Sequence, residues 1–293
     1  MPSKSLKIAD GPVLIAGPTA SGKSALALHI AQEFGGQIIN ADALQVYGCW
    51  QVLTARPDDE EMSKVPHRLY GHVPCHFDYS VGHWLREIQP ILGEAMRPII
   101  VGGTGLYFSA LTEGLAEIPP IPPDIREEAE EIKKTNGFNV FLTDLNEKTI
   151  GRIDTLNPMR VQRAWEVWRS TGRQISDWQD ETPPPLLSLG QTNRFVLDSP
   201  KEWLNERIAR RFDSMLSQGA IEEARANLTN WDPSRLSSKA IGAPELISYL
   251  SGDLTLDEAR EKATITTRQY AKRQRTWFRA RMKAWEIIDA TQL

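Results

Sequence analysis

The stretch Gly17-Pro18-Thr19-Ala20-Ser21-Gly22-Lys23-Ser24, GPTASGKS, decides how this chain folds. It fits G-x-x-x-x-G-K-[ST], a loop whose backbone N–H groups cradle phosphates while its lysine and hydroxyl reach the outer phosphates and a magnesium ion. Upstream, PVLIA (12–16) is an apolar run of the length of a buried strand. Downstream, SALALHIAQE (Ser24 to Glu33) reads as a helix whose N-terminus would add a partial positive charge to the loop. Gly17 and Gly22 allow the backbone to approach phosphates, Lys23 supplies a full charge, and Ser24 supplies a hydroxyl suited to Mg²⁺. The loop specifies a grip on phosphates and leaves their owner open.

Working outward, Ile38–Ile39 reads as a second short strand ending at Asn40-Ala41-Asp42, and Pro98 to Val101 as a third running into Gly102-Gly103-Thr104-Gly105. Strand, loop, helix, strand is the opening of a parallel α/β sheet, whose ligands gather at the carboxyl ends of the strands. The phosphate loop, Asp42 and Thr104 all fall at such ends. Proline clusters at 118–123 (IPPIPP) and 182–186 (TPPPL) read as connectors, because proline continues neither a helix nor a central strand. Between them, Asp124 is expected to cap a helix over IREEAEEIKKTN, and Asn157-Pro158 to open a second that closes near Gly172. A last strand is expected at Arg194 to Leu197, followed by helices to near Asp289. The expected architecture is therefore α/β: a P-loop NTPase-like parallel-sheet core with a helical insertion domain and a helical C-terminal region. Its parts are a first core segment (1–123), a helical insertion (124–185) and a core completion with basic C-terminal helices (186–293).

Composition narrows the class further. The 293 residues are 41% hydrophobic and 25% charged, as in a globular protein with a sizeable core. The N-terminus MPSKSLKIADG lacks a signal-peptide apolar region, and no apolar run is long enough to span a membrane. Two cysteines, Cys49 and Cys75, make no disulfide scaffold, and a reduced cytosolic setting is the simplest expectation. The net charge of −4 hides an asymmetry: residues 260–283 hold nine Lys or Arg against Glu261 alone. That local +8 either recruits a polyanion to one face or belongs to a solvated helix. Within it, Arg268, Lys272, Arg275 and Arg279 fall on one helical stripe, with Tyr270, Gln274, Trp277 and Arg281 on a neighbouring one. The basic residues suit phosphates; the aromatics suit either unpaired bases or the core.

Asp42 has three readings: a carboxylate beside Mg²⁺, a general base, or a helix N-cap. Thr104, in a second glycine-rich loop where a kinase-type enzyme would carry an acid, suits stabilising a departing oxyanion, or simply fills a tight turn. His67, His72, Cys75 and His76 cluster, yet their spacing fits no paired-ligand pattern for zinc.

Taken together, GPTASGKS, ADALQVY (41–47), VGGTGLY (101–107), RVQRAWEV (160–167), AIG (240–242) and TRQYAKRQRTWFR (267–279) resemble the tRNA dimethylallyltransferases, the tRNA isopentenyltransferase family. The likeness covers about residues 12–285 in order. The resemblance implies transfer of a dimethylallyl group from dimethylallyl diphosphate to N6 of adenosine 37 in tRNA, with Mg²⁺ as cofactor and no membrane, by a cytoplasmic monomer that binds the anticodon stem-loop. It implies that Gly17, Pro18, Thr19, Ala20, Ser21, Gly22, Lys23 and Ser24 hold a diphosphate or nucleotide, Ser24 on the magnesium side. Asp42 would be the base at N6, with Ala43, Leu44 and Gln45 around the adenine, and Thr104 would stabilise the leaving oxygen. Arg126, Arg160, Gln162 and Arg163 on the insertion, with Lys272, Arg273, Gln274, Trp277 and Arg279, would meet the tRNA; Lys239 would assist the diphosphate. The chain departs from the family pattern at Asn157-Pro158-Met159, at Ala243-Pro244, and in the glycines of GCWQVLTARP (48–57). An adenylate isopentenyltransferase acting on free AMP or ATP, a small-molecule P-loop kinase and a non-catalytic RNA-binding module remain as alternatives.

Overall fold

The structure is a computed structural model that describes residues 6–293. Its sheet has six strands, all parallel, in the order β3-β2-β4-β1-β5-β6. In chain order the first elements are β1 (Val13–Ala16), α1 (Lys23–Phe34), β2 (Gln37–Asn40), α2 (Asp59–Lys64), β3 (His67–Arg68), α3 (Val81–Leu92), β4 (Pro98–Gly102) and α4 (Gly105–Glu113). Then follow α5 (Pro123–Asn136), α6 (Glu147–Ile150), α7 (Pro158–Thr171) and α8 (Ile175–Asp180). The chain closes with β5 (Asn193–Asp198), α9 (Lys201–Ser217), α10 (Ala220–Asn227), α11 (Ala243–Leu250), α12 (Leu256–Arg281) and β6 (Glu286–Asp289).

Every residue of β1, β2 and β4 is buried, the mark of a parallel sheet covered on both faces. On one face Val13 and Ile15 of β1 align with Ile99 and Val101 of β4 and pack with Leu26, Ala27 and Ile30 of α1. Burying each Val, Leu or Ile side chain here contributes about 1.5–3 kcal/mol. This packing fixes the start of α1 at the end of β1, and so holds the phosphate loop between them.

The chain divides into two compact units, residues 1–112 with 187–293 and residues 113–186. The second unit has its own core of Ala129, Phe141, Val161 and Trp165. Asn157 caps α7 by accepting from the N–H groups of Met159 and Arg160, Pro158 takes the first helical position, and Gly172 closes it. At α5 the expectation is corrected. Pro123 occupies the first turn, the flanking residue is Pro122, and Asp124 lies inside the helix where its charge faces the positive end of the dipole. The C-terminus is also corrected: after α12 the chain forms β6, which pairs with β5 through Phe195–Glu286 to Asp198–Asp289. Its pattern is exposed except at Ile288, as an edge strand allows, so no apolar run announced it. The two-residue β3 was likewise not foreseen.

Cys49 and Cys75 are joined in a disulfide across a separation of 26 residues, with Cα atoms 6.0 Å apart. The expectation of two reduced thiols is thereby corrected. The chain folds back between them so that Tyr47 bridges to Val73 and Gly48 N–H donates to Val73 C=O, a proximity no spacing rule contains.

Candidate functional site

The site lies at the carboxyl ends of β2, β4 and β1. In the phosphate loop Gly22 stands at φ 95°, a left-handed conformation that a side chain disfavours, and it flanks the first residue of α1. Lys23 begins that helix with its Nζ near the Pro18 carbonyl at 3.5 Å. Burial lowers its pKa from 10.5 to about 8; the Asp42 carboxylate opposes that fall and the Arg211 guanidinium adds to it. Ser24 is exposed beside it.

Two arginines of α9 close over this loop. Arg207 Nε donates to the Ala20 carbonyl at 2.8 Å, and its guanidinium lies 4.7 Å from the centre of the Trp203 ring. Arg211 Nη1 donates to the Thr19 hydroxyl at 3.3 Å. Burial depresses Arg211 and the Asp42 charge works against that. Sequence reasoning missed both. Their i, i+4 spacing in ERIARRF is a signal, but one shared with any solvated helical face.

Asp42 follows β2 and is set by its backbone. Buried Asn40 accepts from the Asp42 N–H at 2.8 Å and donates to the carbonyls of Asp42 and Leu69, both at 3.0 Å. Asp42 Oδ1 accepts from Leu44 N–H at 3.0 Å. The residues after it form turns, so Asp42 caps no helix. Around it stand Tyr70, Tyr107 and Tyr270, each driven well above the ordinary tyrosine range by burial first and by the Asp42 charge second. Three tyrosines are thus held as neutral hydroxyls about one carboxylate. Sequence reasoning singled out neither Tyr70 nor Tyr107, although Tyr107 closes the VGGTGLY motif.

Thr104 lies within reach of the same turn: its Oγ1 accepts from Ala43 N–H at 3.0 Å, and its hydroxyl also hydrogen-bonds the Tyr270 side chain. The glycines of this loop serve close packing. A Cβ on Gly102 would meet the Ala41 carbonyl oxygen at 2.0 Å, one on Gly103 the Gln274 amide at 2.3 Å, and one on Gly105 the Trp277 ring at 2.3 Å. The third glycine therefore seats α12, and Trp277 belongs partly to that packing.

The expected tRNA residues on α12 are divided by the structure. Lys272, Arg273 and Arg279 are exposed, whereas Gln274 is 6% exposed and turned inward. Gln274 accepts from Thr19 N–H and donates to the Gly103 carbonyl, each at 2.9 Å, so it clasps the phosphate loop to the second glycine loop. Arg275 and Arg279 reach Asp198 at the end of β5, at 3.3 and 2.8 Å, and Arg260 pairs with Asp213 on α9. Part of the local positive charge is thereby neutralised within the chain. Lys239 is exposed in a short 3-10 turn, while its neighbours Ala240 and Ile241 line the cavity described below.

In the unit 113–186, Arg126 and Arg160 are exposed and Arg163 is half-buried. Burial lowers Arg163, Glu166 opposes the fall, and Arg126 adds to it, so the two arginines share one neighbourhood. Gln162 is 5% exposed and binds within the unit, donating to Glu130 and Glu166 and accepting from Lys133. Of the histidine–cysteine cluster, His67 bonds the Val65 carbonyl, His72 pairs with Glu87, and Cys75 is in the disulfide.

Two cavities meet at Arg211 and Met215. One is largely apolar, lined by Leu44, Leu53, Ile208, Phe212, Met215 and Ile241, with Asp42, Arg211 and Tyr270 among its polar members. The other is a wide polar cleft that Lys23, Ser24, Arg56, Arg207, Arg210 and Arg211 share with Asp58 and Glu61. A cleft rich in lysine and arginine thus opens into an apolar chamber that has a carboxylate on its wall.

These features define an α/β protein with a phosphate-loop fold and a carboxylate, Asp42, on the wall of an apolar space. Residues 45–281 match the family model described as IPP transferase, and residues 12–72 match that for isopentenyl transferase. A tRNA dimethylallyltransferase of Dinoroseobacter shibae is 59% identical over 291 residues, covering 98% of each chain. One of Cereibacter sphaeroides is 58% identical over 279 residues, covering 95% of this chain and 96% of the relative. Among solved structures, the full-length tRNA isopentenylpyrophosphate transferase of Bacillus halodurans is similar at a TM-score of 0.68 and 31% identity, over 96% of this chain and 90% of that one. A eukaryotic dimethylallyltransferase acting on tRNA is similar at a TM-score of 0.80 and 25% identity, over 96% of this chain and 74% of that one. The chain belongs to the tRNA dimethylallyltransferase family.

Proposed function

We propose that the chain transfers the dimethylallyl group of dimethylallyl diphosphate to N6 of adenosine 37 in the anticodon stem-loop of tRNA, working as a monomer in the cytoplasm. The observation that carries the reading is the apolar chamber between the arginine-and-lysine grip and Asp42. A diphosphate held by Lys23, Arg207, Arg211 and the loop N–H groups leaves room for a five-carbon tail among Leu53, Ile208, Phe212 and Met215. The carboxylate on the chamber wall is where a nucleophile must lose a proton.

The adenine N6 lone pair is delocalised into the ring, so N6 attacks only as its proton leaves. Asp42 Oδ2, the oxygen without a backbone partner, takes that proton as N6 bonds C1 of the allyl group and the C1–O bond breaks. The electron pair goes to the diphosphate, where Lys23 and the arginines balance its charge and the Thr104 O–H suits the departing oxygen. The neutral tyrosines exclude water around Asp42 and bring no competing anion.

Magnesium fits this grip. Ser24 offers one exposed hydroxyl beside Lys23, and Mg²⁺ commonly takes one or two protein oxygens and completes its shell with phosphate oxygens and water. Among the described residues no group of three His, Cys, Asp or Glu could hold a metal by itself. When bound at Ser24, the ion would neutralise diphosphate charge.

Lys272 and Arg273 are exposed on one unit, and Arg126 and Arg160 are exposed on the other; each unit thus carries cations of the kind a polyanion requires. The base must leave its stack to reach Asp42, at a cost of a few kcal/mol that backbone contacts offset. The test is incubation with dimethylallyl diphosphate, Mg²⁺ and unmodified tRNA, followed by nucleoside mass analysis, with AMP replacing tRNA as the control arm. An adenosine heavier by one C5H8 unit in tRNA is expected, and unaltered tRNA nucleosides refute the reading. Asp42→Asn is expected to keep tRNA affinity and to lower turnover by about 10²–10⁴. Near wild-type turnover would remove Asp42 from the role of base.

A further inference from the structure

The segment 50–55 separates the two cavities. Leu53 and Thr54 line the apolar chamber, while Gln51, Val52 and Ala55 line the polar cleft. A wall shared in this way fixes where a donor's tail lies relative to its diphosphate. The segment has no regular secondary structure to hold it: it consists of turns, and Ala55 stands at φ 48°.

One carboxylate gathers its backbone N–H groups. Glu223, on α10, accepts three consecutive backbone N–H groups: Oε1 takes those of Gln51 at 2.5 Å and Val52 at 3.0 Å, and Oε2 takes that of Leu53 at 2.9 Å. Successive N–H groups converging on one point form an anion-binding nest. Here the anion belongs to the chain itself. One turn further along α10, Asn227 Nδ2 donates to the Cys49 carbonyl at 3.1 Å, so two side chains of one helix grip the segment's entry. From the opposite side, the Gln45 amide donates to the carbonyls of Thr54 and Ala55, each at 2.9 Å.

We infer that Glu223 is a positioning residue for the prenyl donor, holding residues 51–53 so that Leu53 and Thr54 align the tail between the phosphate grip and Asp42. The inference rests on the proposed dimethylallyl transfer. Glu223 touches no substrate; it acts through the backbone that forms the chamber wall. Only a carboxylate serves all three donors. A glutamine presents one accepting oxygen and turns an NH₂ group on the remaining N–H groups, so the isosteric change keeps shape and removes alignment.

The experiment is steady-state kinetics of wild type, Glu223→Gln and Asn227→Ala with dimethylallyl diphosphate and tRNA, paired with calorimetric titration of inorganic pyrophosphate. Wild-type turnover tests the proposed reaction by itself, and the ratio of variant to wild type tests the inference. Glu223→Gln is expected to raise the KM for the donor about tenfold, with kcat within about threefold, an unchanged KM for tRNA and an unchanged pyrophosphate affinity. Asn227→Ala is expected to shift the same parameter in the same direction by less. A merely structural role would lower the active fraction, and with it kcat, while leaving the donor KM in place. The inference is overturned if the donor KM of Glu223→Gln equals that of wild type, or if pyrophosphate affinity falls as far as donor affinity does.

Discussion

Replacing Gln274 with leucine separates a structural clasp from an RNA contact. Gln274 is neutral, buried and bonded at both ends to backbone, to Thr19 N–H and to the Gly103 carbonyl. Leucine keeps much of the volume and orphans both backbone groups, each at a cost of about 1–3 kcal/mol. The expected loss is therefore about 2–6 kcal/mol, read in urea as a lower midpoint with an unchanged slope for the unit that contains the site. Thr19 also accepts from Arg211 and lines the apolar chamber, so a loosened Thr19 is expected to weaken donor binding roughly tenfold. The tRNA affinity and its salt dependence are expected to hold, because no cation is removed. If Gln274 instead faced RNA, stability would move by less than about 0.5 kcal/mol and only tRNA affinity would fall. An unchanged midpoint together with weakened tRNA binding refutes the clasp.

Two further outcomes follow from Lys23 and the disulfide. Because burial sets Lys23 to about 8 in the free chain, below its unfolded value of 10.5, the lysine loses its proton as pH rises through about 8. The donor's kcat/KM is then expected to fall above that pH, toward one decade per unit, whereas the lysine's drag on stability is full below about 8 and is relieved as pH rises toward 10.5. Lys23→Arg should remove the descending limb, and a flat wild-type profile through that range would contradict the assignment. For Cys49–Cys75, closing a loop of 26 residues corresponds to about 3–4 kcal/mol of chain entropy, so reduction is expected to lower the unfolding free energy by that amount. Thiol titration of protein purified without reductant should find no free thiol until a reductant is added, and two free thiols at the outset would contradict the pairing.

Some of the site could be read directly from local sequence and some could not. The phosphate loop, Asp42 and Thr104 each sit where a buried strand ends, and a fully apolar strand followed by glycine or an acid is visible in a single window of residues. Asn157-Pro158 and Gly172 bounded α7 for the same reason, since capping is local chemistry. Arg207, Arg211 and Glu223 are far in sequence from what they touch: Arg211 meets Thr19 across 192 positions, and Glu223 meets Gln51 across 172. On their own helices they look like any charged solvent face. Gln274 misled for the converse reason, because a polar residue among arginines reads as part of a polar surface until the buried backbone groups opposite it are known.

By itself the sequence determined the class of the protein: a phosphate loop between strand and helix, a parallel sheet, an acid and a hydroxyl at neighbouring strand ends, and a basic C-terminal helix. Period, capping and glycine chemistry act over a few residues, so they survive in one dimension. The tertiary structure decided which charges remain for a partner and which are already engaged, that Cys49 meets Cys75, and that a carboxylate on α10 holds the wall between grip and chamber. Hydrogen bonds and ion pairs depend on distances of about 3 Å between groups, and only the packing of α9, α10 and α12 against the strand ends sets those distances.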